Sequence, residues 1–111
     1  MSWQTLPNSD QFPEPPYFAV IFVYERSDSL EGYPEMDAAT LEEAAKVDGY
    51  LGHISLGSDE KGMFISYWKS MESIDLWRKQ SLHLTAKKMG REQWYSRYIS
   101  QISEVKHHSF K

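Results

Sequence analysis

Between Tyr17 and Tyr24 the chain reads YFAVIFVY, eight apolar or aromatic residues without a polar break. A run this short, rich in β-branched and aromatic side chains, predicts a strand covered on both faces. The pattern then changes. In SDSLEGYPEMDAATLEEAAKVDGY (27–50), Ala38, Leu41, Ala44 and Ala45 fall on one arc, and Asp37, Glu42 and Glu43 lie elsewhere, as an amphipathic helix requires. Pro34 suits its first turn and Gly49 its end. Two strands follow, YLGHISLG and GMFISYWKS, joined through SDEKG, a hairpin-length loop. Ser70 then stands as an N-cap for a helix opening at MESIDLW, with Glu72 where the helix dipole favours an anion. More helix is expected from about Leu82. SRYISQISEVKHHSF (96–110) alternates as a closing strand. Before all of this, residues 1–16 hold four prolines in LPNSDQFPEPP and no period, which predicts an extended arm packed through Trp3 or Phe12, or a loose tail.

The order β-α-β-β-α-β is the ferredoxin-like pattern of an α+β domain over residues 17–111. In that topology the first and third strands are central. Tyr17–Tyr24 and Met63–Trp68 carry the nearly continuous apolar runs, whereas Tyr50–Leu56 and Ser96–Phe110 carry Ser, His, Gln, Glu and Lys, as edges would. Alternation places Phe18, Val20, Phe22 and Tyr24 on one face of the first strand and Tyr17, Ala19, Ile21 and Val23 on the other. Helices cover one face only. The second apolar face needs a cover, because monomers rarely leave a large apolar patch in water. A homodimer through the sheet face opposite the helices is expected.

Composition narrows the function. The chain has 111 residues, one domain's length, and a net charge of −4, which argues against general nucleic-acid binding. It has no cysteine, so no disulfide framework or thiolate chemistry, and a cytoplasmic protein is the simplest expectation. No 18-residue apolar run marks a membrane span and no leader pattern opens the chain. Aromatic residues make up 14% of it, more bulk than so small a core needs, which points to an interface or a pocket.

YFAVIFVYERS, AAKVDGYLGHISL, GMFISYWKSMESIDLWRKQSLHLTAKKMGREQWYSRY and ISEVKHHSF together resemble the antibiotic biosynthesis monooxygenase domain family of the dimeric α/β-barrel superfamily. The resemblance covers Tyr17 to Phe110. It implies ferredoxin-like monomers whose sheets pair face to face. It also implies a small monooxygenase that oxidises an aromatic, quinol-type substrate with no metal, haem or flavin. The alternative is a non-catalytic dimeric domain that binds a small molecule. Haem degraders in the same superfamily are a poorer match: they use an Asn in the first strand, which FAVIFVY lacks, and a His about three turns after a helical Trp, where Lys87 falls if Trp77 is that Trp.

The expected pocket lies between the sheet and the second helical region, lined by Phe22, Tyr67, Trp68, Trp77 and Trp94, with His83 as the proton acceptor. Histidine suits that task because its ordinary pKa of about 6.5 lies near neutrality. Arg78 or Lys87 is expected to favour a phenolate if either turns inward. His53 should share a side with Leu51 and Ser55, where a structural or interface role outweighs catalysis. Four histidines without an HExxH spacing make a poor metal set, and His107 and His108, adjacent on a strand, would face opposite ways. KGMFISYW on the third strand echoes the RNA recognition motif, but its residues fit that signature badly, and the basic residues of the helical region sit away from the sheet face such a module uses.

Overall fold

A computed structural model describes residues 6–28, 32–58, 60–89 and 93–111, the side chains of Asp37 and of residues 81–83 excepted. Trp3 therefore lies outside the described residues. Four strands, β1 (Tyr17–Arg26), β2 (Tyr50–Gly57), β3 (Lys61–Trp68) and β4 (Tyr95–Val105), form one antiparallel sheet in the order β2-β3-β1-β4. The two most apolar runs are the central strands, as expected. Three helices connect them: α1 (Tyr33–Ala44), α2 (Met71–Lys79) and α3 (Ser81–Met89). This is the ferredoxin-like α+β architecture, with the second helical region broken in two at Gln80, whose backbone is extended.

Local chemistry sets the boundaries. Pro34 sits in the first turn of α1, where its missing amide proton costs nothing. The Ser70 hydroxyl accepts from the Ser73 amide at 3.2 Å and caps α2. The inward side of α1 differs from the expected arc. Ala44 is buried, and Thr40 and Leu41 face the interior, but Ala38 and Ala45 are exposed. Alanine at four positions left the arc loosely defined, and packing against the sheet chose the face.

Helices cover the sheet face bearing Val20, Phe22, Tyr24, Ser66 and Trp68. The core there is Ala44, Trp68, Ile74 and Trp77, with Phe18, Val20, Val47 and Tyr50 packed around it. Trp68 is wholly buried. Its ring stacks on Trp77 at 6.2 Å, and its indole N–H donates to Ser66 Oγ at 2.9 Å.

The opposite face is covered at one end by the chain itself. Phe12 stacks on Tyr17 at 5.2 Å and meets Tyr67 edge-on at 5.1 Å, and Phe110 closes against Phe12 at 5.7 Å. Tyr17 and Ala19 are buried as a result. β4 stops at Val105 rather than running to Phe110, and residues 106–111 are not strand. His107 and His108 therefore do not alternate on a strand: His108 Nδ1 lies 2.9 Å from the Tyr17 hydroxyl. At the other end of this face Leu56, Met63 and Ile99 stay exposed at 67%, 39% and 58%. Register connects them, since Met63 pairs with both Leu56 and Val23, and Val23 with Ile99.

Candidate functional site

A cavity of about 730 Å³ lies between the helix-covered sheet face and the three helices. That is the size of an ordinary small-molecule site. Phe22, Trp68, Trp77 and Trp94 all stand in its wall. Tyr67 does not. Adjacent strand residues point to opposite faces, so with Trp68 inward Tyr67 turns outward, where it packs against Phe12 and Tyr17. Its phenol is held above the ordinary tyrosine range by burial there. The side chain of His83 lies outside the described residues, although its helix contributes Ala86 and Lys87 to the wall.

The two ends of the cavity differ in chemistry. Toward the C-terminal end of β1 it is phenolic. Tyr24 packs on Tyr95 at 4.9 Å, Phe22 on Tyr98 at 5.4 Å, and Tyr33 meets Trp94 edge-on at 5.3 Å. Arg26 closes this end: its guanidinium donates to the Tyr24 hydroxyl at 3.1 Å and to the Ser58 carbonyl, and lies 5.1 Å from the Tyr24 ring centroid. Gly62 makes room for Tyr24, whose ring occupies the space a β-carbon would take.

Four residues back along β1, roughly 13 Å at strand spacing, lies a polar corner. Tyr50 pairs with Trp68 and His53 with Ser66 across β2 and β3. The Tyr50 hydroxyl sits 2.5 Å from His53 Nδ1, and the imidazole stacks on Phe64 at 4.9 Å. His53 and Ser66 are each only 6% exposed. Burial lowers the imidazole's pKa and raises the Tyr50 phenol's, so both are held neutral near pH 7. On α1, the buried Thr40 Oγ1 has no hydrogen-bond partner among the described residues.

His53 stands in the cavity wall on the same side as Ser55, as expected, but the wall does not include Leu51. The cause is a bulge. Residues three apart on a regular strand face opposite ways, but the β2–β3 register slips between Tyr50 and Gly52, and Gly52 adopts φ +148°. The extra residue, Leu51, brings Tyr50 and His53 to one face. A glycine inside a strand pattern is the signal that could have revealed it.

The wall also carries Arg78 and Lys87, and among the described residues no carboxylate. Arg78 reaches Asp75 only loosely, at 3.8 Å, and both are half exposed. The described residues hold no cluster of three or more His, Cys, Asp or Glu able to bind a metal ion. None of the described helices is long and apolar enough to cross a membrane.

The four-stranded antiparallel sheet with its helices is a ferredoxin-like α+β fold shared with antibiotic biosynthesis monooxygenase domain proteins. A protein of Nitrosomonas europaea assigned as an antibiotic biosynthesis monooxygenase superposes with a TM-score of 0.67 at 13% identity, over 85% of this chain and 93% of that one. SnoaB, a cofactor-independent oxygenase from Streptomyces nogalater, gives 0.67 at 13%, over 86% and 97%. A conserved protein of Methanosarcina mazei Go1 gives 0.69 at 12%, over 84% and 94%. At these identities the likeness is one of fold. No protein-family model matches the chain. In sequence it is 40% identical over 94 residues to the uncharacterized protein YqjZ of Bacillus subtilis (strain 168), covering 84% of this chain and 82% of that protein, and it belongs to the YqjZ family.

Proposed function

We propose that this protein is a small dimeric oxygenase that oxidises a phenolic aromatic compound with molecular oxygen and without metal, haem or flavin. The observation that carries the proposal is the aromatic-walled cavity of about 730 Å³ beneath the helices. Stacked rings suit a planar substrate, and a phenol or its quinol relative, once deprotonated, supplies its own electrons to oxygen. For a phenol with an activated ring methylene the balance is simple. The CH2 becomes C=O, one oxygen atom enters the ring, and the other leaves as water with both hydrogens. The protein's tasks are to exclude water, hold the ring and stabilise the phenolate. SnoaB, described as a cofactor-independent oxygenase, has the same fold and supports the assignment.

The same proposal includes a second copy on the uncovered end of the outer sheet face, where Leu56, Met63 and Ile99 lie exposed. The aromatic arm already occupies the Tyr17 end, so the second copy docks on the remainder.

The deciding experiment is oxygen uptake by the purified protein with a panel of anthrones and quinols, with and without chelator. Uptake that survives chelation supports the proposal. Loss of uptake with chelator, or no uptake on any substrate the protein binds, overturns the oxygenase and leaves a dimeric binding domain. A monomeric mass by light scattering at micromolar concentration would remove the dimer.

A further inference from the structure

We propose that Tyr50, His53 and Ser66 form a phenol-ionising site, in which the His53 imidazole takes the proton from a hydroxyl of the bound aromatic and Ser66 donates to the oxygen left behind. The site rests on the cavity being the ligand site, as proposed above.

Its first support is how the site is built. Tyr50 and His53 meet only because of the bulge at Leu51, made accessible by the positive φ of Gly52. A strand without the bulge would send one of the two side chains to the outer face. Bulges often re-aim a side chain in this way beside a working site. The product is a histidine in the cavity wall, 6% exposed, fixed from two directions: Phe64 stacks on its plane and the Tyr50 hydroxyl meets Nδ1.

The hydrogen-bond chemistry is the second support. In the tautomer protonated at Nδ1, the imidazole donates to the Tyr50 oxygen and leaves the Nε2 lone pair as its basic site. Tyr50 is then a positioning residue, and burial keeps its phenol un-ionised. Ser66 stands beside His53 as its cross-strand partner on the same face. Its oxygen already accepts the Trp68 indole N–H at 2.9 Å, so what it offers a ligand is its hydroxyl proton. A group polarised in that way suits an anionic oxygen.

Charge is the third. The whole chain carries −4, yet the charged side chains in the cavity wall are Arg26, Arg78 and Lys87, with no carboxylate among the described residues. A phenolate formed there meets no like charge. In the step itself the ligand's O–H bond breaks, its electron pair stays on oxygen, and the proton forms a bond to Nε2. Burial disfavours a lone imidazolium there, so the proton stays on His53 only while the phenolate's opposite charge lies against Nε2; the imidazolium then donates to the phenolate from Nε2 and to Tyr50 from Nδ1. No oxidant is consumed at this stage.

The test uses 1,8-dihydroxyanthraquinone, a redox-stable probe whose phenolate absorbs at longer wavelength than its phenol. The full chain is titrated with it near neutral pH. Wild type is expected to bind it with the phenolate band developed. His53→Gln should bind it and lose the band, and Tyr50→Phe should weaken the band with little change in affinity. In His53→Ala, added imidazole should restore it, an effect a merely structural histidine would not show. Far-UV circular dichroism checks each fold, and if the His53 variants do not fold the decision passes to Tyr50→Phe. A phenolate band unchanged in His53→Gln, or in Tyr50→Phe where that variant decides, overturns this site and leaves the oxygenase reading standing. So does wild type binding the probe only as neutral phenol. A wild type that neither binds the probe nor consumes oxygen with any phenol overturns both.

Discussion

Replacing Gly49 by alanine should cost far more than a surface Gly→Ala change. Gly49 holds φ +95°, a region where an L side chain is strained by about 1–2 kcal/mol. Space is also lacking. A β-carbon there would lie 2.0 Å from Ser73 Oγ and 2.8 Å from Ser73 Cβ. Ser73 cannot simply swing aside, because it is buried in the first turn of α2 and its amide is the donor to the Ser70 cap. Moving it disturbs that cap, worth about 1 kcal/mol. The backbone and cap contributions together put the cost of Gly49→Ala at about 2–3 kcal/mol, read as a fall in the midpoint of equilibrium urea denaturation with an unchanged slope. The companion variant Ser73→Gly removes both clashing atoms but not the backbone strain. The double variant should therefore be more stable than the sum of the single losses by about 1 kcal/mol. Because α2 carries Trp77 and Arg78 into the cavity, ligand affinity should fall in Gly49→Ala and partly recover in the double variant. A loss below about 0.5 kcal/mol, or strict additivity, would refute the close approach of the α1–β2 turn to α2.

Two further outcomes are expected. Phe12→Ala removes the ring that stacks on Tyr17 and Tyr67. It should cost about 1–2 kcal/mol in urea denaturation and bring the Tyr17 phenol, which burial raises, back toward its ordinary pKa in a spectrophotometric titration. The His53 pKa is lowered by burial, so in acid the unfolded chain binds its proton first. That part of the stability is complete above about pH 6.5 and is lost as pH falls from there toward the folded pKa. His53→Gln should flatten the acid limb of the stability curve, and an identical limb in both proteins would contradict the burial of a neutral imidazole.

Several features were legible in the residues because they are local. YFAVIFVY and the run at Met63–Trp68 announced the two central strands through apolar load alone. Pro34 and Ser70 marked helix starts through groups within one turn of themselves. The fold follows from that order of elements. The apolar second face of β1 also raised the expectation of a cover on both sides, and Phe12 supplies one at the Tyr17 end.

What the tertiary structure decided is which face meets which cover. With both sides of β1 apolar, alternation separates Tyr67 from Trp68 but does not say which of them turns inward; the packing of α2 against Trp68 does. The outer face was open to a partner or a ligand, and part of it went to Phe12 and Phe110, brought together from opposite ends of the chain. His53 depends most on the fold. Its strand reads as regular, and only a one-residue slip in register, at a glycine able to adopt φ +148°, turns Tyr50 and His53 to the same side. A strand's side-chain period is two, so one inserted residue reverses every facing before it relative to those after it, and that slip exists only in the pairing of β2 with β3.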